Sequence, residues 1–213
     1  MKKYIFFDFD GTLFDTAEGV TKCVRYALLK FGIEAELSEL MCFCGPPLTE
    51  MFSKKYNMDD ADAAKAVAYY RERYNPIGWT ECRPFDGMPE LIKKLRACGM
   101  KVAVATSKPT EFTKRILSQY EMQDDFDFIS GAEFDGTRSK KWEVIDYALD
   151  HFGIKPEEAV LVGDRMYDVD GARRCGVDCV GVRFGYAEQN ELEEHGAVYV
   201  AEDTDDLFDF LMK

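Results

Sequence analysis

The chain has 213 residues, 46% of them hydrophobic and 31% charged, with a formal net charge of −13. That is enough apolar content to fill a core without disulfide staples, and the acidic balance argues against nucleic acid and anionic membrane surfaces as main partners. Seven cysteines lie scattered without a framework, and the two histidines, His151 and His195, are remote from most of them in sequence, which argues against a zinc site and for reduced, mostly buried thiols in a cytoplasmic protein.

The first element is a short strand, Tyr4–Phe7, and the stretch that contains it reads YIFFDFDGTLFDT. Its apolar run is too short for a signal peptide, and no later run approaches a membrane span. It ends on Asp8 and Asp10, separated only by Phe9 and followed by Gly11 and Thr12. Two carboxylates so close repel each other, and burying them is costly unless a positive group lies between them. They form either a solvated turn or a cation-holding pair that does chemistry.

More than ninety residues separate this strand from the next, far beyond an ordinary crossover. Within them Ala17–Phe31, Pro47–Tyr56 and Asp59–Tyr74 carry helical patterns, and nothing reads as a strand. Residues 16–81 are therefore expected to form an inserted helical module, with residues 1–15 and 82–213 forming the main domain. RPFDGMPE, Arg83–Glu90, marks the return to it.

From there strand and helix alternate. Apolar runs at Lys101–Thr106, Phe126–Ser130, Ala159–Asp164 and Cys179–Gly185 predict strands, and Ala197–Val200 a short last one. The segments between them read as helices: MPELIKKLRACG closing on Gly99, KPTEFTKRILSQY, SKKWEVIDYALDHFG with Trp142, Ile145, Leu149 and Phe152 on one stripe, and MYDVDGARRCG. The pattern is that of an α/β fold: a doubly wound, Rossmann-like, mostly parallel sheet carrying an inserted small helical cap.

In such sheets ligands bind beyond the carboxyl ends of the strands. Those ends deliver Asp8 and Asp10, then Thr106, Ser107 and Lys108, then Lys140 and Lys141 opening a helix, then Asp164 and Asp168. Carboxylates, hydroxyls and amines on one edge suit phosphoryl transfer. A carboxylate can attack phosphorus, a second can move the proton, hydroxyls and a lysine can bind the equatorial oxygens, and a hard divalent cation can offset the crowded negative charge.

The segments DFDGTLFDT, VAVATSK, RSKKWEVIDYAL and LVGDRMYDVDGA together resemble the haloacid dehalogenase-like hydrolases, and most closely the phosphoglycolate-phosphatase-like branch with a helical cap after the first motif. The likeness covers essentially the whole chain. It implies that Asp8 is the nucleophile and Asp10 the general acid/base, and that Thr106 binds the transferring phosphate with help from Ser107. The family's lysine maps onto Lys141, which is followed two residues later by Glu143; Lys140 is the alternative. By the same resemblance Mg²⁺ is held by Asp8, by the backbone carbonyl of Asp10 and by Asp164, with Asp168 in an outer or water-mediated contact or as a partner for the lysine.

Asp10 is absent from the dehalogenases of that family, which favours phosphate chemistry. Gly11-Thr12 stands where its sugar phosphomutases usually carry Gly-Val, which favours hydrolysis. The resemblance implies a cap that closes over the site and sets specificity. Its candidate contacts are Gly45 and Pro46 in the turn CFCGPPL and Arg71 or Arg73 in YYRERY. The expected partner is a small phosphorylated metabolite, phosphoglycolate first, and the expected state is a monomer. A phosphomutase or phosphotransferase on the same site, or a non-catalytic phosphate-binding module, are the alternatives. His151 and His195 are read as structural or surface residues.

Overall fold

The computed structural model describes residues 2–213. Two compact units are built from them: one contains the residues up to Phe14 together with Pro84–Lys213, the other Asp15–Arg83. A two-stranded ribbon, β2 (Phe14–Asp15) with β3 (Arg83–Pro84), lies where the chain passes between them.

The larger unit opens with β1 (Tyr4–Phe7). In the smaller unit follow α1 (Ala17–Leu29), a 3-10 helix (Leu37–Phe43), α2 (Leu48–Tyr56) and α3 (Asp60–Tyr74). The three expected helices are present within a few residues of their predicted bounds. The 3-10 helix ends on Cys42 and Phe43, the first two residues of the stretch expected as a plain turn. Asp59 caps α3 by accepting from the Asp62 amide at 2.8 Å.

After the ribbon come α4 (Met88–Ala97), β4 (Lys101–Pro109), α5 (Thr110–Gln119), β5 (Phe128–Ala132), α6 (Lys141–Phe152), β6 (Ala159–Gly163), α7 (Met166–Cys175), β7 (Asp178–Val182), α8 (Glu191–His195), β8 (Tyr199–Ala201) and α9 (Thr204–Leu211). The six main strands form one sheet in the order β5-β4-β1-β6-β7-β8, all parallel. Phe7 is level with Val104 on one side and Val162 on the other, so β1 is central. The chain runs outward from β1 through β4 and β5, then returns to lay β6 on the opposite side. The strand order therefore reverses at β1, where parallel sheets open a crevice.

Both faces of the sheet are covered. Phe6, Ala103, Ala105 and Leu161 pack with Val144, Ile145, Ala148 and Leu149 of α6 and with Val169 and Ala172 of α7. The alternating residues Ile5, Phe7, Val102, Val104, Val160 and Val162 are buried as well. At about 1.5–3 kcal/mol for each large apolar side chain removed from water, this two-sided burial is what fixes β1 at the centre. One departure concerns β4, which runs on to Pro109 with an irregularity after Thr106.

None of the seven cysteines forms a disulfide, and only Cys23, Cys44 and Cys179 are buried. Among the described residues no helix is long and apolar enough to cross a membrane. His151 stacks on Phe128 with ring centroids 3.7 Å apart, and His195 Nδ1 lies 3.1 Å from Asp170.

Candidate active site

The site is assembled in the larger unit, beyond the carboxyl ends of β1, β4 and β6. Asp8 follows β1 directly, and its amide still donates to Val162 O at 2.9 Å, which holds the residue in line with the strand. Its carboxylate is buried. Lys141, the first residue of α6, projects along that helix's buried stripe, and its Nζ lies 2.5 Å from Asp8 Oδ1 and 2.8 Å from Asp168 Oδ1. It also donates to Ala105 O at 3.1 Å. Lys140, one residue earlier, is exposed. Lys141 stands three and four residues before Val144 and Ile145 and so lies on their buried face, whereas Lys140 is the extended residue that precedes the helix.

Asp164, just past β6, is fully buried and held by two donors from distant parts of the chain. The Thr12 hydroxyl donates to Oδ1 at 3.1 Å and the Tyr186 amide to Oδ2 at 2.8 Å. The surrounding backbone leaves no spare room. A Cβ on Gly11 would lie 2.1 Å from Asp164 Oδ2, and one on Gly185 would lie 2.2 Å from Asp164 Cβ. Gly11 also has φ +88°, in the left-handed region that a side chain disfavours. Asp168 caps α7 from its third position, accepting with Oδ2 from the Asp164 and Arg165 amides at 3.1 and 3.0 Å, while its Oδ1 faces Lys141.

Three buried carboxylates, Asp8, Asp164 and Asp168, thus bring one oxygen each within 4.8 Å of one another. Lys141 is the cation shared by two of them, Asp8 and Asp168. Burial pushes the Asp8 carboxyl up to about 6, against the opposing pull of Lys141, and Asp168 pushes it further. Burial likewise raises Asp164, with Asp168 and Asp8 adding to it. Burial would lower Lys141, but Asp168 and Asp8 outweigh it and hold the ammonium above the ordinary lysine value. Three carboxylates against one ammonium leave surplus negative charge in a water-poor place. All the donors are oxygens, so the cluster fits a hard divalent cation.

Asp10 and Thr106 flank this cluster. Asp10 is half-buried and binds Lys108, whose Nζ lies 2.8 and 3.2 Å from its two oxygens. Thr106 is buried, and its hydroxyl oxygen accepts from the Lys108 amide at 3.2 Å, which leaves the hydroxyl proton for another acceptor. Ser107 is half-buried.

The other three candidates, Gly45, Pro46 and Arg71, belong to the helical unit. Gly45 has φ +104°, Pro46 is buried and Arg71 is exposed. Arg73 is bound to Glu81 by a forked pair at 2.6 and 3.0 Å within the same unit, so it is a structural residue there.

The sequence did not single out Thr12 as a partner of Asp164, the Tyr186 amide, or the Lys108–Asp10 pair. Thr12 was visible beside the aspartates. Tyr186 carries no local signal, since only its backbone takes part.

Residues 5–182 match the family model for haloacid dehalogenase-like hydrolases. A 5'-nucleotidase of Pseudomonas aeruginosa is 44% identical over 200 residues, covering 93% of this chain and 90% of its own. The tyrosine-protein kinase PtkA of Mycobacterium tuberculosis is 36% identical over 197 residues, covering 92% of this chain and 67% of its own. The crystal structure of a predicted phosphatase from Clostridium acetobutylicum superposes with a TM-score of 0.97 at 41% identity, over 100% of this chain and 99% of that one.

Proposed function

The chain belongs to the haloacid dehalogenase-like hydrolase family and is a hydrolase of the phosphatase type, and on that premise we propose that it is a Mg²⁺-dependent phosphomonoesterase working through a phosphorylated Asp8. The observation that carries the reading is the buried cluster at the end of the central strand, where Lys141 lies 2.5 Å from Asp8 with Asp164 and Asp168 beside it.

In this reading an Asp8 oxygen attacks phosphorus, the bond from phosphorus to the ester oxygen breaks, and Asp10 gives that oxygen its proton. Asp10 then takes a proton from water as the water oxygen attacks the phosphorus of the aspartyl phosphate. Inorganic phosphate leaves and Asp8 is restored. Lys141 keeps Asp8 charged for the first step and meets the equatorial phosphoryl oxygens, to which the Thr106 hydroxyl also donates, with Ser107 beside it. Asp8, Asp164 and the Asp10 carbonyl would hold Mg²⁺, with Asp168 outside them. When bound, the ion supplies positive charge to the phosphoryl group and to the crowded carboxylates. Local cations of this kind answer the problem posed by an anionic substrate and a net charge of −13.

The substrate is a small phosphorylated metabolite. The nucleotidase relative makes a nucleoside 5'-monophosphate the first candidate, and phosphoglycolate, first by sequence resemblance, becomes the second. Gly45, Pro46 and Arg71 of the helical unit are proposed as specificity positions. Seven cysteines without a disulfide and the acidic charge support a cytoplasmic monomer. A second reading, passage of the phosphoryl group from Asp8 to an acceptor hydroxyl instead of water, is favoured by the kinase relative.

The test is a panel of nucleoside 5'-monophosphates, phosphoglycolate and p-nitrophenyl phosphate, each with Mg²⁺ and with EDTA. Metal-dependent phosphate release, absent in Asp8→Asn, supports hydrolysis. Transfer without release supports the second reading, and no turnover of any member by the folded protein removes both.

A further inference from the structure

We propose that Lys108 is a positioning residue that fixes the carboxylate of Asp10 for proton transfer, an inference that rests on reading Asp10 as the general acid/base. The first support is the pair itself. Nζ reaches both oxygens of Asp10, at 2.8 and 3.2 Å, and the Lys108 and Asp10 side chains are only 4% and 14% exposed. An ammonium so enclosed has lost most of its water, and it reaches over the ring of Phe9 at 5.6 Å to make the contact.

The second support is the backbone that aims it. Along β4 and β5, Thr106 pairs with Gly131 and Pro109 with Ala132, so three steps on one strand match a single step on the other. Ser107 and Lys108 are therefore bulged out of the ladder at the carboxyl end of the sheet. Bulges of this kind bend a strand and re-aim its side chains. The partner strand makes room for it: a Cβ on Gly131 would lie 2.9 Å from Lys108 O and 2.8 Å from Thr110 Oγ1. The same bulge brings the Lys108 amide to the Thr106 hydroxyl. One irregularity thus sets both the hydroxyl on β4 and the cation that grips Asp10.

The role follows from geometry. Asp10 sits in a loop, not on the sheet, and a carboxylate on a loop has several rotamers. A lysine anchored in the sheet and bound to both oxygens leaves it one. Asp8 has Lys141 as its own partner, so the two carboxylates of D-F-D are held by two different lysines from two different strand-to-helix connections.

The experiment compares Lys108→Met with the unmodified enzyme on p-nitrophenyl phosphate, whose leaving group needs no proton, and on an alkyl phosphate, whose leaving group does. The expected result, read as the single-turnover rate of leaving-group release, is a fall of about ten- to a hundredfold on the alkyl ester and at most about threefold on the aryl ester, with substrate affinity little changed on both, while breakdown of the aspartyl phosphate, where Asp10 acts as base, slows alike for the two. In an Asp10→Asn background the same change is expected to cost nothing further on the alkyl ester. Weakened substrate binding with equal losses in leaving-group release from the two esters would make Lys108 a phosphate-binding lysine and overturn the inference. So would a loss that persists in full in the Asp10→Asn background. Should Lys108→Met not fold, Lys108→Gln, which shortens the stem and replaces the ammonium by an uncharged amide, carries the same comparison. No turnover of either ester by the unmodified enzyme would remove the functional reading and this inference with it, whereas normal wild-type turnover with an unaffected variant would remove the inference alone.

Discussion

Gly171 of α7 and Lys141 of α6 are fitted to each other: a Cβ on Gly171 would lie 2.7 Å from Lys141 Cγ and 2.8 Å from Lys141 Cβ. The stem of the lysine that meets Asp8 and Asp168 crosses α7 at the one place where that helix has no side chain. In a helix interior, alanine is favoured over glycine by about 1 kcal/mol. Here overpacking, at about 1–3 kcal/mol, is the larger effect, because the obstructed atoms are the inner carbons of a buried chain and the Trp142 amide lies at 3.3 Å. Gly171→Ala is expected to lower kcat at least tenfold and to lower the urea midpoint. An unchanged kcat would mean that Lys141 can reach Asp8 by another path.

Lys141 and Lys140 give opposite expectations. Lys141→Met removes the ammonium shared by two buried carboxylates and is expected to lower kcat by more than a hundredfold. Lys140→Ala, at an exposed position, is expected to leave kcat and KM within about twofold of the unmodified enzyme. Steady-state kinetics on p-nitrophenyl phosphate checks both.

The difference between those two lysines shows where reading the sequence reaches its end. Apolar runs identify the six parallel strands, because a strand covered on both faces needs a continuous run. The same runs place Asp8 and Asp164 just beyond β1 and β6. Adjacent lysines at a helix start carry no such mark. Which of them faces the sheet depends on where the first turn begins, and that is set by packing against α7. The bulge after Thr106 is equally silent in sequence, since Ser107 and Lys108 read as the end of a strand and the start of a helix, and its cause is Gly131 on a neighbouring strand. The grip on Asp164 by the Tyr186 amide is a backbone contact across 22 residues and has no residue type to betray it.

Loss of the Asp8 carboxylate is expected to stabilise the cation-free protein. Burial holds the Asp8 carboxyl up near 6, above its ordinary value of 3.8. The folded state therefore takes up that proton more readily than the unfolded chain does. The stability this contributes is complete below the ordinary value and lost as pH rises through about 6. Asp8→Asn removes the ionisation. In EDTA at pH 7.5 its Tm is expected to exceed that of the unmodified protein by a few degrees, and at pH 5 by much less, since Asp8 is then mostly protonated. A lower Tm for the variant at pH 7.5 would show that the Asp8–Lys141 pair outweighs the burial of the charge.

The same titration sets the response to Mg²⁺. A cation bound by Asp8 and Asp164 stabilises only the folded chain, by about 2.7 kcal/mol at a hundredfold excess over Kd. For a chain of this length that is roughly 5–11 °C in Tm. The shift is expected at pH 8 and is expected to fade below about pH 6, where protons compete for Asp8. Thermal melts with MgCl₂ and with EDTA at both pH values measure it. An equal shift at pH 5 would place the ion elsewhere.

Glu191 braces the loop that carries Asp164. Its Oε1 accepts from Arg165 Nε at 2.8 Å and from the Met166 amide at 2.7 Å, and its Oε2 accepts from the Glu188 amide at 3.0 Å. Burial would raise its carboxyl, yet the Arg165 contact and the two amides win and hold it below the usual range. It thereby ties the start of α7 to the segment that delivers the Tyr186 amide to Asp164, so the two sides of the carboxylate cluster are joined through one side chain. Glu191→Ala leaves Arg165 charged in a mostly buried place and two amides without their acceptor, which is expected to cost about 3–5 kcal/mol in a urea melt. Glu191→Gln keeps an oxygen for the amides and is expected to cost less than half of that. Because Glu188, two residues beyond Tyr186, is no longer tied to Met166 in Glu191→Ala, the Mg²⁺ concentration needed for half-maximal activity is expected to rise several-fold, while Glu191→Gln stays near the unmodified value. If Glu191→Ala loses stability and its Mg²⁺ requirement does not move, the brace serves the fold alone and the geometry of Asp164 is set by Thr12, Gly11 and Gly185 without it.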